Sequence, residues 1–275
     1  MGSLVFIDVD GTLLNEEQTV PASARDACQA AAANGHSLFM CTGRVGPELS
    51  ASLWELGFAG LVAANGAYAT CGDSTLFSHQ LDANDIRRVT DFVTAAGGEW
   101  MWQTADTIHL TDAYMRAFAD SHTGAEHAIP GDWSSYVDLI TPFVRQGLPA
   151  TALKCAFMLP KTPSATADRV SAALDDRYTI VSGSVGARNA AVFELVAHNV
   201  SKGHALREVA AHREIGITKT VAVGDSANDV SMLKAAGLSI AMGNGTEVAQ
   251  EAADWITSSV DEDGLAHALE YAKLI

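Results

Sequence analysis

Four consecutive apolar residues, Leu4-Val5-Phe6-Ile7, lead straight into Asp8-Val9-Asp10-Gly11, and this junction constrains the fold more than any other feature of the chain. An uninterrupted apolar run of this length fits a strand buried on both faces, as in a parallel sheet. Residues two apart on a strand share a face, so Asp8 and Asp10 meet at the strand's carboxyl end. Carboxylates at the mouth of a buried element are costly unless paired or bound to a cation, and a divalent metal is the simplest resolution. Gly11 permits a sharp turn, which Thr12 can fix through its hydroxyl. An ordinary Asp-Gly turn accounts for Asp10 and Gly11 but leaves Asp8 unexplained.

Short apolar runs then alternate with helical patterns, which reads as a parallel sheet with crossover helices. Pro21 stands at a first helical position, Ala24, Ala27, Cys28 and Ala31 follow at helical spacing, and Gly35 ends the run. Ser37 to Cys41 reads as a second strand, Pro47 to Leu56 as a helix, Leu61 to Ala64 as a third strand, and Asn65-Gly66 as a hairpin turn. Beyond it the order becomes mixed: a hairpin over 66–80, a helix from Leu81 to Gly97, strands over 99–111 and 155–159, a helix through Val170, and a strand from Tyr178 to Val181. Such an order suggests an α+β insert. The first pattern returns with Ala191 to Val196, a helix from Ser201 to Glu214, a strand from Thr220 to Val223, a helix from Asn228 to Ala236 and a strand from Leu238 to Met242.

The net charge of −16 argues against a nucleic-acid backbone or an anionic membrane as partner. Residues 82–189 carry 9 Lys/Arg against 13 Asp/Glu, whereas the remainder carries 8 against 20, so an anionic substrate meeting the remainder needs a cation on site. Cys28, Cys41, Cys71 and Cys155 are scattered without zinc or redox spacing and read as reduced thiols of a cytosolic protein. No apolar run is long enough to span a bilayer, and a soluble, cytoplasmic chain is expected.

Three further motifs fall at strand ends or helix starts. Cys41-Thr42-Gly43-Arg44 ends the second strand, where a small hydroxyl and a glycine amide suit a phosphoryl oxygen; alone, Thr-Gly-Arg is also a common turn. Ser201-Lys202-Gly203 opens a helix, where a lysine is unfavourable by roughly 0.3–1 kcal/mol unless an anion reverses the sign; a solvent-exposed lysine is the alternative. Gly224-Asp225-Ser226-Ala227-Asn228-Asp229 follows Val221-Ala222-Val223 and brings Asp225 and Asp229 to the same sheet edge as Asp8. Helix capping needs one such residue, and this stretch offers four.

In this order the four motifs resemble those of the haloacid dehalogenase superfamily, over roughly the first 80 and last 85 residues. The strings Ala64-Asn65-Gly66-Ala67, Phe193-Glu194-Leu195 and Ala241-Met242-Gly243-Asn244-Gly245 are similar to its Cof-type branch, mainly magnesium-dependent phosphatases of sugar phosphates and similar small phosphomonoesters. The resemblance implies a Rossmann-like α/β core over 1–81 and 190–275 and an inserted α+β cap over 82–189 that sets specificity and acts as a lid. It further implies Asp8 as nucleophile and Asp10 as general acid and then base. Mg²⁺ would be held by Asp8, Asp10, Asp225 and Asp229, and the phosphoryl oxygens by Thr42, Gly43, Lys202 and Asn228. Arg44, Arg188 and Asn189 are candidate substrate contacts, and Trp100, Trp102 and Trp133 either face a sugar or pack.

A phosphomutase and a non-catalytic phosphosugar sensor on the same fold remain alternatives. An oxidoreductase is excluded because Gly243-x-Gly245 lacks the third glycine of a dinucleotide fingerprint, and a serine hydrolase because Ser226 is not in a G-x-S-x-G setting. The expected partner is a small phosphorylated substrate, with the chain a monomer or homodimer.

Overall fold

The computed structural model describes residues 2–116, 133–163, 165–183 and 190–275. The chain divides into two compact units, Met1–Arg44 with Leu49–Ser78 and Ser201–Ile275, and Val45–Glu48 with His79–Val200.

Five strands open the chain: β1 (Leu4–Ile7), β2 (Ser37–Cys41), β3 (Phe58–Ala63), β4 (Tyr68–Cys71) and β5 (Ser74–Ser78). Six follow in the second unit: β6 (Glu99–Gln103), β7 (Ile108–Leu110), β8 (Val144–Arg145), β9 (Lys154–Pro160), β10 (Tyr178–Ser182) and β11 (Ala190–Ala197). The last three, β12 (Thr220–Gly224), β13 (Leu238–Ala241) and β14 (Trp255–Ile256), belong to the first unit.

The first unit is built on one sheet of order β14-β13-β12-β1-β2-β3-β4-β5. Pairing is parallel from β14 to β3 and antiparallel from β3 to β5. Alternate residues of β1 feed two cores. Val5 and Ile7 join the cluster containing the helices Ala22–Ala33 and Gly264–Tyr271, while Leu4 and Phe6 join the one containing the helix Lys202–His212. All four are fully buried, as the unbroken apolar run requires. Because β1 lies between β12 and β2, the residues after their carboxyl ends share one edge, the place where open α/β sheets collect ligands.

The helix expected over 47–56 is instead two 3₁₀ pieces, Gly46–Glu48 and Ala51–Leu56, separated by Ser50 in an extended conformation and closed by Gly57 at φ 90°. Likewise the helix after Asn228 is a 3₁₀ turn, Ala227–Asp229, running into a single α-turn, Val230–Leu233.

The second unit is a six-stranded sheet of order β10-β11-β9-β6-β7-β8. Its helix Ala83–Ala95 begins at a capping box in which Asp82 and Asp85 satisfy each other's backbone amides. β11 is the point of disagreement with the sequence-based order, which returns the chain to the parallel sheet at residue 190. It lies between β10 and β9 and pairs antiparallel with both. Phe193 and Leu195 enter the apolar cluster of this unit, whereas Glu194 accepts a hydrogen bond from the Lys154 ammonium at 2.8 Å. That alternation marks an antiparallel strand with two unlike faces rather than a parallel strand apolar on both.

Trp102 is fully buried, and its indole N–H donates to Thr90 Oγ1 at 2.9 Å; with Trp100 it packs in the same cluster. Trp102 therefore takes the packing alternative. Arg188, Asn189 and the side chain of Trp133 lie outside the described residues.

Candidate active site

Asp8 follows β1 directly and is buried, its amide donating to the Val223 carbonyl of β12. Asp225 follows β12. Gly11, at φ +84°, brings the turn after β1 close to it: a Cβ on Gly11 would stand 2.5 Å from Asp225 Oδ2. Asp229 enters from the 3₁₀ turn, where its Oδ2 accepts from the backbone amides of Asp225 and Ser226 at 3.1 and 3.0 Å. Gly224 makes room, since a Cβ there would meet Asp229 Cγ at 2.7 Å. One oxygen from each of Asp8, Asp225 and Asp229 thus lies within 4.8 Å of the others.

Lys202 completes the cluster. Ser201 caps its helix, and the lysine side chain runs inward, fully buried, with Nζ donating to Asp8 Oδ1 and to Asp229 Oδ1 at 2.6 Å each. The solvent-exposed alternative for this lysine is thereby removed. Gly66 positions the helix start: at φ +102°, a Cβ there would fall 2.3 Å from the Ser201 carbonyl oxygen.

The electrostatics follow from burial. Desolvation first, then the charge of Asp229, hold the Asp8 carboxyl well above the usual range despite the Lys202 ammonium beside it. Asp225 is pushed up to about 7 by burial and again by Asp229. Burial alone would weaken the Lys202 ammonium, but Asp229 and Asp8 outweigh it and raise its pKa, keeping the lysine charged. Ionising all three carboxyls against one ammonium would leave two negative charges uncompensated among buried groups, which is what holds the Asp8 and Asp225 carboxyls high without a cation. An all-oxygen donor set with that excess fits a hard divalent cation such as Mg²⁺.

Thr42, after β2, is fully buried, and its hydroxyl accepts from the Arg44 amide at 3.1 Å. Gly43 stands between them. Asn228 donates through its side-chain amide to Asn65 Oδ1 at 3.3 Å and accepts from Ser226 Oγ. Asn65, at φ 55° and buried, is a site residue that the hairpin-turn reading did not single out. Asp10 stands apart from the acid cluster and is 41% exposed. Arg44 grips it with two bonds, from Nε at 2.9 Å and from Nη2, and the same Nη2 also donates to Gln18 Oε1. Arg44 therefore contacts the expected acid itself, and Gln18 is a second residue that no motif revealed.

Fold and site together define an α/β enzyme whose buried acids and single lysine are set out for phosphoryl chemistry. The family model of haloacid dehalogenase-like hydrolases matches residues 5–269. Phosphatase YwpJ of Bacillus subtilis is 30% identical over 291 residues, 98% of this chain and 99% of its own. The 5-amino-6-(5-phospho-D-ribitylamino)uracil phosphatase YcsE of the same organism is 27% identical over 98% of this chain and 94% of its own. A solved sugar phosphatase of subclass IIB of the superfamily superposes with a TM-score of 0.76 at 24% identity, covering 99% of this chain and 100% of its own. The chain belongs to the haloacid dehalogenase-like hydrolases, in the Cof-type phosphatase branch. Its activity is hydrolysis of phosphoesters.

Proposed function

We propose that the chain hydrolyses small phosphomonoesters, sugar or alditol phosphates among them, with Mg²⁺ as cofactor and an aspartyl phosphate on Asp8 as intermediate. The observation that carries this reading is the buried Asp8–Lys202–Asp229 triad beside Asp225, with Asp10 two residues from Asp8 at the mouth of the site. The phosphatases similar to this chain, one acting on a phosphoribityl compound and one on sugar phosphates by their names, support the substrate class.

Asp8 Oδ attacks phosphorus, the bond to the alcohol oxygen breaks, and Asp10 gives its proton to that oxygen. Asp10 then takes a proton from water as the water attacks the aspartyl phosphate, which returns the Asp8 carboxylate and releases inorganic phosphate. Lys202 supplies positive charge where the equatorial oxygens develop negative charge, and Thr42, Gly43 and Asn228 orient them. Asp8, the main-chain carbonyl of Asp10, Asp225 and Asp229 would hold Mg²⁺, which adds charge stabilisation for the transferring group. The second unit serves substrate specificity in this reading.

Phosphate release from alditol, sugar and aryl phosphates, with Mg²⁺ and with chelator, tests the proposal. Metal-dependent turnover that Asp8→Asn abolishes without loss of fold is the expected result. Phosphoryl transfer to a second hydroxyl of the substrate, instead of to water, would make the protein a mutase.

A further inference from the structure

Gln18 belongs to none of the four motifs, yet it is the residue behind the arginine that grips the proposed acid. It sits in a tight loop held by its own hydrogen bonds. Asn15 N donates to the Thr19 carbonyl and Gln18 N to the Asn15 carbonyl, both at 3.0 Å. Asn15 Oδ1 accepts from Thr19 N at 3.0 Å and from Thr19 Oγ1 at 2.9 Å. Asn15 Nδ2 ties the loop to Asp261 Oδ1, 246 positions further along the chain, at 2.9 Å. Within this loop Gln18 adopts φ 58°, a left-handed conformation that costs an L-residue energy and that glycine or asparagine occupies more readily.

Among the described residues, eight others that are not glycine also adopt positive φ, and what sets Gln18 apart is where its side chain goes. Here the contact is the Gln18 side-chain carbonyl accepting from Arg44 Nη2, the same nitrogen that donates to Asp10 Oδ1. Arg44 is 13% exposed against 41% for Asp10, so the arginine is the more buried partner and the carboxylate the one that meets solvent. The guanidinium is a planar fork whose donors hold a fixed geometry. Fastening Nη2 to Gln18 as well as to Asp10 fixes the plane in which the guanidinium meets the carboxylate.

We propose that Gln18 is a positioning residue for the acid step: through Arg44 it holds the Asp10 carboxyl at the place from which the leaving oxygen is protonated, one of the two bonds from Arg44 giving way when that carboxyl carries its proton. The inference rests on the general-acid role proposed above for Asp10. A misplaced acid matters in proportion to the need for protonation. Alkyl phosphates, whose alkoxide leaves poorly, need it, and an aryl phosphate with an acidic phenol largely does not. General acid catalysis is worth typically 10²–10⁴-fold, and loosening it by loss of one supporting bond removes about one to two powers of ten.

The experiment is rapid-quench measurement of alcohol release in the first turnover, comparing an alditol phosphate with 4-nitrophenyl phosphate. Gln18→Ala is expected to slow the alkyl ester about 10- to 100-fold and the aryl ester by less than about threefold, with the melting temperature unchanged. Gln18→Glu, which keeps an acceptor for Arg44, restores the alkyl rate. Gln18→Gly, free of the φ restriction, raises the melting temperature and shows the same selective slowing. Equal slowing of both esters, no slowing of either, or failure of Gln18→Glu to restore the rate overturns the inference. Asp10→Asn in the same assay separates the two levels. If it slows the alkyl ester selectively and Gln18→Ala does not, only the role of Gln18 falls; if Asp10→Asn shows no selectivity, the acid assignment falls and the inference with it.

Discussion

Replacing Lys202 by methionine is the perturbation with the largest consequence that the structure allows to be worked out. The ammonium stands 2.6 Å from a carboxylate oxygen of Asp8 and the same distance from one of Asp229, with no exposure to water. At an effective dielectric constant of about 20, each attraction amounts to about 6 kcal/mol. The cost of burying the cation and the repulsion between the two carboxylates cancel most of that sum. Removing one partner of a buried ion pair costs about 3–5 kcal/mol, and Lys202→Met in metal-free protein is expected to lose that much at pH 8. In domains of this size each kcal/mol moves the melting temperature by about 2–4 °C, so a fall of roughly 6–20 °C is expected.

The loss has a predictable pH dependence. Burial and Asp229 already hold the Asp8 carboxyl high, and without the ammonium it rises further. A group whose pKa is higher folded than unfolded supports the fold below its unfolded value, and that support is lost as pH rises through the folded one. The deficit of Lys202→Met therefore narrows toward pH 5 and widens toward pH 8, and millimolar Mg²⁺ recovers part of it at pH 8. Thermal melts of wild type and variant at both pH values, with chelator and with Mg²⁺, make the comparison. A variant as stable as wild type at pH 8, or a deficit independent of pH, would refute the electrostatic account of the triad.

Gln103 is fully buried, and among the described residues neither end of its amide has a hydrogen-bond partner; Gln103→Leu is expected to stabilise the second unit by about 1–3 kcal/mol in urea melts, and a loss of stability would contradict that. Burial lifts the Cys28 thiol from an ordinary 9.0 to about 12. The stability it lends is complete below pH 9 and is lost as pH rises from there to 12, and at pH 8 a thiol reagent should modify Cys71, the half-buried one of the four, while sparing Cys28, Cys41 and Cys155 until the protein unfolds. Gly66→Ala forces a methyl group to within 2.3 Å of the Ser201 carbonyl oxygen. It should displace the start of the lysine helix and depress kcat more than KM, a split that steady-state assays on an aryl phosphate will register.

What was legible in the sequence depended on how local its cause is. The apolar run before Asp8, and that before Asp225, placed both carboxylates at one sheet edge because strand burial and the period of two are properties of a few adjacent residues. Lys202 was found through its motif, but its direction was not, since a helix start leaves open whether a long side chain runs inward or out. β11 was assigned to the wrong sheet because Ala191 to Val196 looks apolar as a string; Glu194 within it carried the contrary signal, and its partner Lys154 lies 40 positions away. Gln18 stands in no motif, and Asn65, although inside the Ala64-Asn65-Gly66-Ala67 string, reads from sequence only as a turn. Each makes its contact with a residue distant in sequence, Asn228 in one case and Arg44 in the other, and local spacing does not announce such a contact.

The placement of β1 between β12 and β2 also has a bearing on how the chain is made. During synthesis β1 to β5 emerge early and can pair, yet one edge of β1 has no partner until Thr220–Gly224 has left the ribosome. At about 5–20 residues per second that wait is on the order of ten seconds. For its duration the nascent sheet presents Leu4-Val5-Phe6-Ile7 as an open, wholly apolar edge of the kind that recruits other strands. In the interval the second unit has its own buried clusters and both faces of its own sheet with which to fold. A chain truncated between β11 and β12 is accordingly expected to aggregate through its amino-terminal edge, and the acid cluster, which draws on both sides of that edge, can exist only once Asp229 has left the ribosome.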